Sequence, residues 1–205
     1  MGKAKTLVIG VAGTMTSGKA AVEYFLVSRG FKSIKMTEPI LEEGMKRKLD
    51  MKDRSNWLKI MVEMRKKQTK SILAEIASQQ IQEDERYVIC PIRYSEDIKY
   101  LKKQYDSLIL FIDAPTPLRY RRTFLKAIEL GMTESEFKKK DSFERNPTGK
   151  DKEYLSNVEA CRKLADEVIV NEGSLDILNQ KLDAVLRKYH IPDIEDTGAY
   201  EDFQF

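Results

Sequence analysis

The run Gly13-Thr14-Met15-Thr16-Ser17-Gly18-Lys19 sets a lysine directly after the second of two spaced glycines. Those residue types at that spacing suit one chemistry. The glycines let the backbone curl so that successive N–H groups aim at phosphate oxygens, and a helix opening at Lys19 adds its positive N-terminal end. The Lys19 ammonium then reaches the β- and γ-phosphates of a nucleotide. In such a loop the next residue supplies a hydroxyl to Mg²⁺, but Ala20 stands there and Ala21 follows. Thr16 and Ser17 carry hydroxyls on the wrong side of the lysine for that ligand. The motif predicts nucleotide binding and, by the missing hydroxyl, questions turnover.

The loop needs a strand before it and a helix after it. Leu7–Val11 is a short apolar strand, and a helical pattern runs from Lys19 to about Arg29, closed by Gly30. Phe31–Met36 reads as a second strand and Ile40–Leu49 as a short helix. Asp53 or Ser55 caps one long helix bearing Trp57, Met61, Met64, Ile72 and Ile76 at helical spacing. Tyr87–Cys90 is a third strand, broken by Pro91, and a helix with Ile98 and Leu101 follows. Leu108–Ile112 is a fourth strand, apolar throughout as burial on both faces requires. After Asp113-Ala114-Pro115 comes a helix with Leu118, Phe124, Leu125 and Ile128, closing at Gly131. Thr133 and Glu136 form a capping box opening a charged segment to about Arg145. A helix near Glu153–Leu164, a strand at Val168–Val170 and a helix from Ser174 to Lys188 complete the pattern. The alternation predicts an α/β fold: a three-layer, doubly wound, five-stranded parallel sheet with ligands outside the carboxyl ends of its strands.

Composition narrows the field. The chain has 205 residues, 36 basic and 33 acidic, for a net charge of +3. That suits anionic small molecules and argues against nucleic acid. Cys90 and Cys161 lack metal-ligand spacing and a disulfide framework, so a reducing, cytoplasmic setting is expected. With His190 the one histidine, Ser-His-Asp chemistry and histidine metal sites are excluded. The apolar run near the N-terminus is too short for a signal peptide or membrane span.

With these pieces placed, residues 6–188 resemble the P-loop nucleoside monophosphate kinase-like family, nearest to dephospho-coenzyme A kinases and archaeal proteins related to AMP and CMP kinases. The resemblance rests on Gly13–Lys19, on Asp113-Ala114-Pro115 with Arg119 and Arg122, on the segment holding Asp141 and Arg145, and on Ala165–Ser174. It implies transfer of the γ-phosphoryl of ATP, with Mg²⁺, to a nucleoside monophosphate or similar phosphorylated acceptor, dephospho-coenzyme A being a further alternative. Arg119, Arg122 and Arg145 match lid arginines over the phosphates. Asn171, Gly173 and Ser174 match the loop against the nucleotide base. Arg65 and Arg93 match acceptor-phosphate clamps, and Glu38 falls where relatives carry an Asp holding acceptor or metal waters. Relatives carry an acid where Cys90 stands. With Ala20 and Cys90 both lacking metal ligands, a catalytically impaired nucleotide-binding or regulatory protein is the alternative. The expected organisation is a kinase-like domain over 1–190, a lid at about 131–150, and an acidic-aromatic tail over 191–205 that docks a protein partner, self-associates or is loosely attached.

Overall fold

The computed structural model describes residues 6–123 and 132–192. Expectations about Phe124, Leu125, Ile128 and Gly131, and about the tail from residue 193, lie outside the described residues.

Strands Leu7–Gly13 (β1), Lys32–Lys35 (β2), Arg86–Ile92 (β3), Asp106–Asp113 (β4) and Glu167–Val170 (β5) form one parallel sheet in the order β2-β3-β1-β4-β5. Strand side chains alternate between faces. Ile9, Val11, Leu110 and Ile112 pack with Val22 and Leu26 of helix Lys19–Val27 (α1), and β5 adds Ile169 on this side. On the opposite face Val8, Ala12, Ile89 and Phe111 form the core with residues of five helices. The chain therefore has the expected layers, with β1 central. Because the chain leaves β1 between β3 and β4, its C-terminal end opens a crevice where doubly wound sheets bind ligands.

The remaining helices among the described residues are Glu38–Lys46 (α2), Arg54–Lys67 (α3), Ile72–Ser78 (α4), Ser95–Gln104 (α5), Thr116–Thr123 (α6), Glu134–Arg145 (α7), Val158–Leu164 (α8) and Leu175–Lys188 (α9), with a 3-10 turn at Lys152–Tyr154. Ile60 of α3, Leu73 of α4, Ile98 of α5 and Cys161 of α8 line the second core. Asp53 caps α3, accepting from Ser55 N at 2.8 Å, and the capping box of Thr133 and Glu136 opens α7 as expected. Among the described residues no helix is long and apolar enough to cross a membrane.

Three expectations change. The long helix after Asp53 is two helices, α3 and α4. Ser71 donates to Glu75 Oε1 at 2.8 Å and Ile72 N bonds Thr69 O, so local polar bonds compete with the helical ladder at the break. Strand β3 runs through Pro91 to Ile92. The register against β1 slips between the pairs Gly10–Ile89 and Ala12–Ile92, and proline, having no N–H, sits at that irregularity without loss. The tail is attached at its start: Ile191 is buried against the α1–α9 core, and Arg86 donates to Pro192 O at 2.6 Å.

Candidate functional site

The phosphate loop closes on itself and is held from behind. Lys19 Nζ donates to Gly13 O at 3.0 Å and Thr14 O at 2.6 Å, spanning the loop's own mouth. Gly13 has φ of 150° and a Cβ there would strike the Ile112 carbonyl, so β4 presses directly on the loop's first residue. Ser17 N bonds Thr14 O at 3.3 Å, while Met15, Thr16 and Gly18 have no backbone acceptor among the described residues. Those N–H groups, the Lys19 ammonium and the N-terminus of α1 are the donors that a loop of this kind offers an anion. Ser17 is fully buried, and its hydroxyl has no partner among the described residues.

Residues far along the chain brace this loop. The Ser17 carbonyl accepts from Asn171 Nδ2 at 2.8 Å and from Arg122 Nη1 at 3.3 Å, and Arg122 Nη2 also reaches Asn171 O at 3.1 Å. Thr16 Oγ1 donates to Arg119 O at 2.7 Å, and Thr14 Oγ1 to Asp113 Oδ1 at 2.8 Å. Arg122, expected over the phosphates, and Asn171, expected against the base, instead grip the backbone of the loop. Gly173 and Ser174 are exposed beyond β5; Ser174 caps α9.

Arg119 departs most from its expected place over the phosphates. It is 0% exposed and forms a bidentate pair with Asp141, Nη1 to Oδ1 at 2.6 Å and Nη2 to Oδ2 at 2.8 Å. Nε donates to Ala114 O at 2.9 Å, Nη1 also to Met15 O at 3.2 Å, and Nη2 to Thr116 Oγ1 at 3.1 Å. One bond from Nε and two from each terminal nitrogen use every N–H of the guanidinium. Arg119 is therefore a buried tie joining the loop, the end of β4 and α7. Sequence spacing could not distinguish it from Arg122, because burial is decided by what packs above α6.

Arg145 sits near the loop among carboxylates: Nε is 3.1 Å from Asp141, Nη1 3.3 Å from Glu159 and Nη2 3.4 Å from Asp113. Arg162 of α8, absent from the sequence expectations, reaches Asp113 Oδ2 at 3.4 Å. The helical pattern around Arg162 and Glu159 carries no signal of this role; only the docking of α8 on the sheet brings them here.

The expected acceptor residues separate. Arg65 is buried between α3 and α5, where it donates to Asp97 at 3.1 Å and Tyr154 O at 2.8 Å and lies 3.9 Å over the Tyr94 ring. Burial pushes Asp97 up to about 6, against the pull of Arg65. Arg65 thus serves the core and is enclosed away from any ligand. Arg93 stands at the C-terminal end of β3, and Glu38 is exposed at the start of α2.

A protein-held Mg²⁺ does not fit these residues. Ala20 is exposed with no ligating atom. Cys90 is 2% exposed, and burial beside Glu23 pushes its thiol up to about 12, so it stays protonated. Asp113 already accepts from Thr14, Ala114, Arg145 and Arg162. Among the described residues no group of three or more His, Cys, Asp or Glu is placed to hold a metal ion.

No protein-family model matches the chain, and no curated protein matches it in sequence. Solved structures do match. Shikimate kinase from Acinetobacter baumannii, in complex with shikimate, superposes with a TM-score of 0.58 at 15% identity, covering 90% of this chain and 95% of that one. TT1252 from Thermus thermophilus gives 0.56 at 20% identity, over 90% and 98%. Shikimate kinase from Bacteroides thetaiotaomicron gives 0.53 at 13% identity, over 88% and 98%. The fold is that of the P-loop kinases. Gly13–Lys19 follows β1, which lies between β3 and β4 in the sheet.

Proposed function

We propose that the chain is a small-molecule kinase that transfers the γ-phosphoryl of ATP to a nucleoside monophosphate or similar phosphorylated acceptor. The observation carrying this reading is the Lys19 ammonium, held over the loop's mouth by the Gly13 and Thr14 carbonyls. An incoming phosphate offers Lys19 charged oxygens in place of neutral carbonyls, and charge-assisted bonds are the stronger ones. The loop N–H groups then take the β-phosphate. Arg122 steadies the Ser17 carbonyl behind it, and Arg145 exchanges a carboxylate partner for the transferring group. Such chemistry needs positioning and positive charge more than covalent participation. The stretch 131–150 is the lid of this reading, with Arg119–Asp141 as its buried anchor. Hydrogen exchange with and without a non-hydrolysable ATP analogue should show added protection over 132–150.

The second reading, an impaired nucleotide-binding or regulatory protein, is favoured by the exposed Ala20 and the protonated Cys90 thiol. Here Mg²⁺ would arrive on the nucleotide's own phosphates. ADP release from ATP and Mg²⁺ against a panel of nucleoside monophosphates and dephospho-coenzyme A tests both. Acceptor-dependent release supports the kinase. ATP binding without release supports the impaired protein.

A further inference from the structure

One cluster on the same sheet edge pairs its charges only loosely and leaves two of their atoms without a hydrogen bond. Ile92 pairs with Ala12, so Arg93 stands beside the start of the phosphate loop, on the β3 side. Glu144 immediately precedes Arg145 on α7, and Arg54 opens α3. Glu144 Oε1 lies 3.9 Å from Arg93 Nη1 and 3.7 Å from Arg54 Nη2, both beyond hydrogen-bond length. Glu144 Oε2 and Arg93 Nε are buried and have no hydrogen-bond partner among the described residues. One turn earlier on the same helix, Asp141 closes on Arg119 at 2.6 Å, so the misfit is local. Buried polar atoms left without a hydrogen bond are costly. Whatever completes this pair must offer an acceptor to Arg93 and a donor to Glu144.

We propose that Arg93 and Glu144 bind the second substrate together, through an acceptor oxygen on Arg93 and an N–H or O–H donor on Glu144. The inference rests on the kinase reading above for there being a second substrate. Phosphate alone fits poorly, because it is anionic and the Glu144 carboxylate repels it. A sugar hydroxyl, or a base edge with C=O beside N–H, supplies both partners. The placement agrees: Asn171 and Arg122 brace the loop from the β5 side, and this pair lies on the β3 side. Neighbouring residues of α7 thus face two ligands, Arg145 the phosphates and Glu144 the acceptor. Glu144 becomes the specificity-determining group, since Arg93 by itself would accept any anion.

Titration calorimetry on the full chain tests this, with a non-hydrolysable ATP analogue followed by AMP, CMP, GMP, UMP, ribose 5-phosphate and inorganic phosphate. Wild type should bind at least one sugar-containing probe more tightly than inorganic phosphate. Glu144→Gln should weaken that probe by about tenfold or more, because a charge-assisted bond is lost, while the ATP analogue binds as before. Weakening of ribose 5-phosphate assigns the donor to a hydroxyl; weakening of nucleotides only assigns it to a base N–H. Arg93→Lys keeps the charge, removes Nε and should weaken the same probe, and melting curves for both variants should overlay wild type. The inference is overturned if both folded variants bind every probe as wild type does. It is overturned equally if wild type binds the ATP analogue and none of the other probes. Failure of the ATP analogue itself would instead remove the phosphate-loop reading, and this inference with it.

Discussion

The side-chain amide of Asn171 fills the space that a Cβ on Gly18 would need, and from there Nδ2 donates to the Ser17 carbonyl at 2.8 Å. Gly18 also holds φ of 107°, a conformation that L side chains rarely adopt. The loop's second glycine is thus required twice, by its own backbone and by a residue from the far end of β5. Gly18→Ala should cost about 1–3 kcal/mol of stability through strain and weaken nucleotide binding as Asn171 is displaced. The double variant Gly18→Ala/Asn171→Gly should melt higher than Gly18→Ala alone. Equal melting of the two would show that the collision is unimportant.

Lys19→Ala should lower affinity for ATP or ADP by about tenfold or more, since an ionised donor to a desolvated phosphate is lost. Calorimetry reads this directly. Unchanged affinity would remove the phosphate-loop assignment.

Arg119→Met should destabilise the fold by about 3–5 kcal/mol, because Asp141 is left as a buried charge with only Arg145 against it. Arg119→Met/Asp141→Leu should recover much of that loss in denaturant melts. A single variant as stable as wild type would place Arg119 among the lid residues after all.

Ala20 and Cys90, alike in sequence as missing metal ligands, part company in the structure. Ala20 is exposed at the start of α1, so Ala20→Ser adds a hydroxyl without disturbing packing. A better-placed metal on the nucleotide should raise turnover roughly tenfold or more. Cys90→Asp instead buries a carboxylate near Glu23, and about 3 kcal/mol or more of stability should be lost. A steady-state rate for the first and a thermal melt for the second decide these; an Ala20→Ser rate equal to wild type refutes the metal argument.

Stability should also carry a pH signature from Asp97. Burial raises its folded value to about 6, above the about 3.9 of an unfolded chain. Its contribution is therefore complete below about pH 4 and is lost as pH rises through about 6. Across pH 4 to 7, wild type should gain up to about 3 kcal/mol over Asp97→Asn at the acid end. A constant difference between the two proteins over that range would contradict the burial of an ionising Asp97.

Sequence by itself determined the layers and the cradle. Apolar runs such as Leu108–Ile112 must be buried on both faces, the alternation of strands and helices dictates a parallel sheet, and Gly13, Gly18 and Lys19 follow from local backbone chemistry. Tertiary structure alone decided the partners. Arg119 and Arg122 lie on one short helix, yet Asp141 buries the first and the Ser17 carbonyl holds the second. Arg65 and Arg93 look equivalent as clamps, but Asp97 and Tyr94 enclose Arg65 while Arg93 keeps a buried Nε without a partner among the described residues. A charged side chain's role depends on which opposite charges arrive from distant segments and on how much water they exclude. Neither is encoded in spacing along the chain.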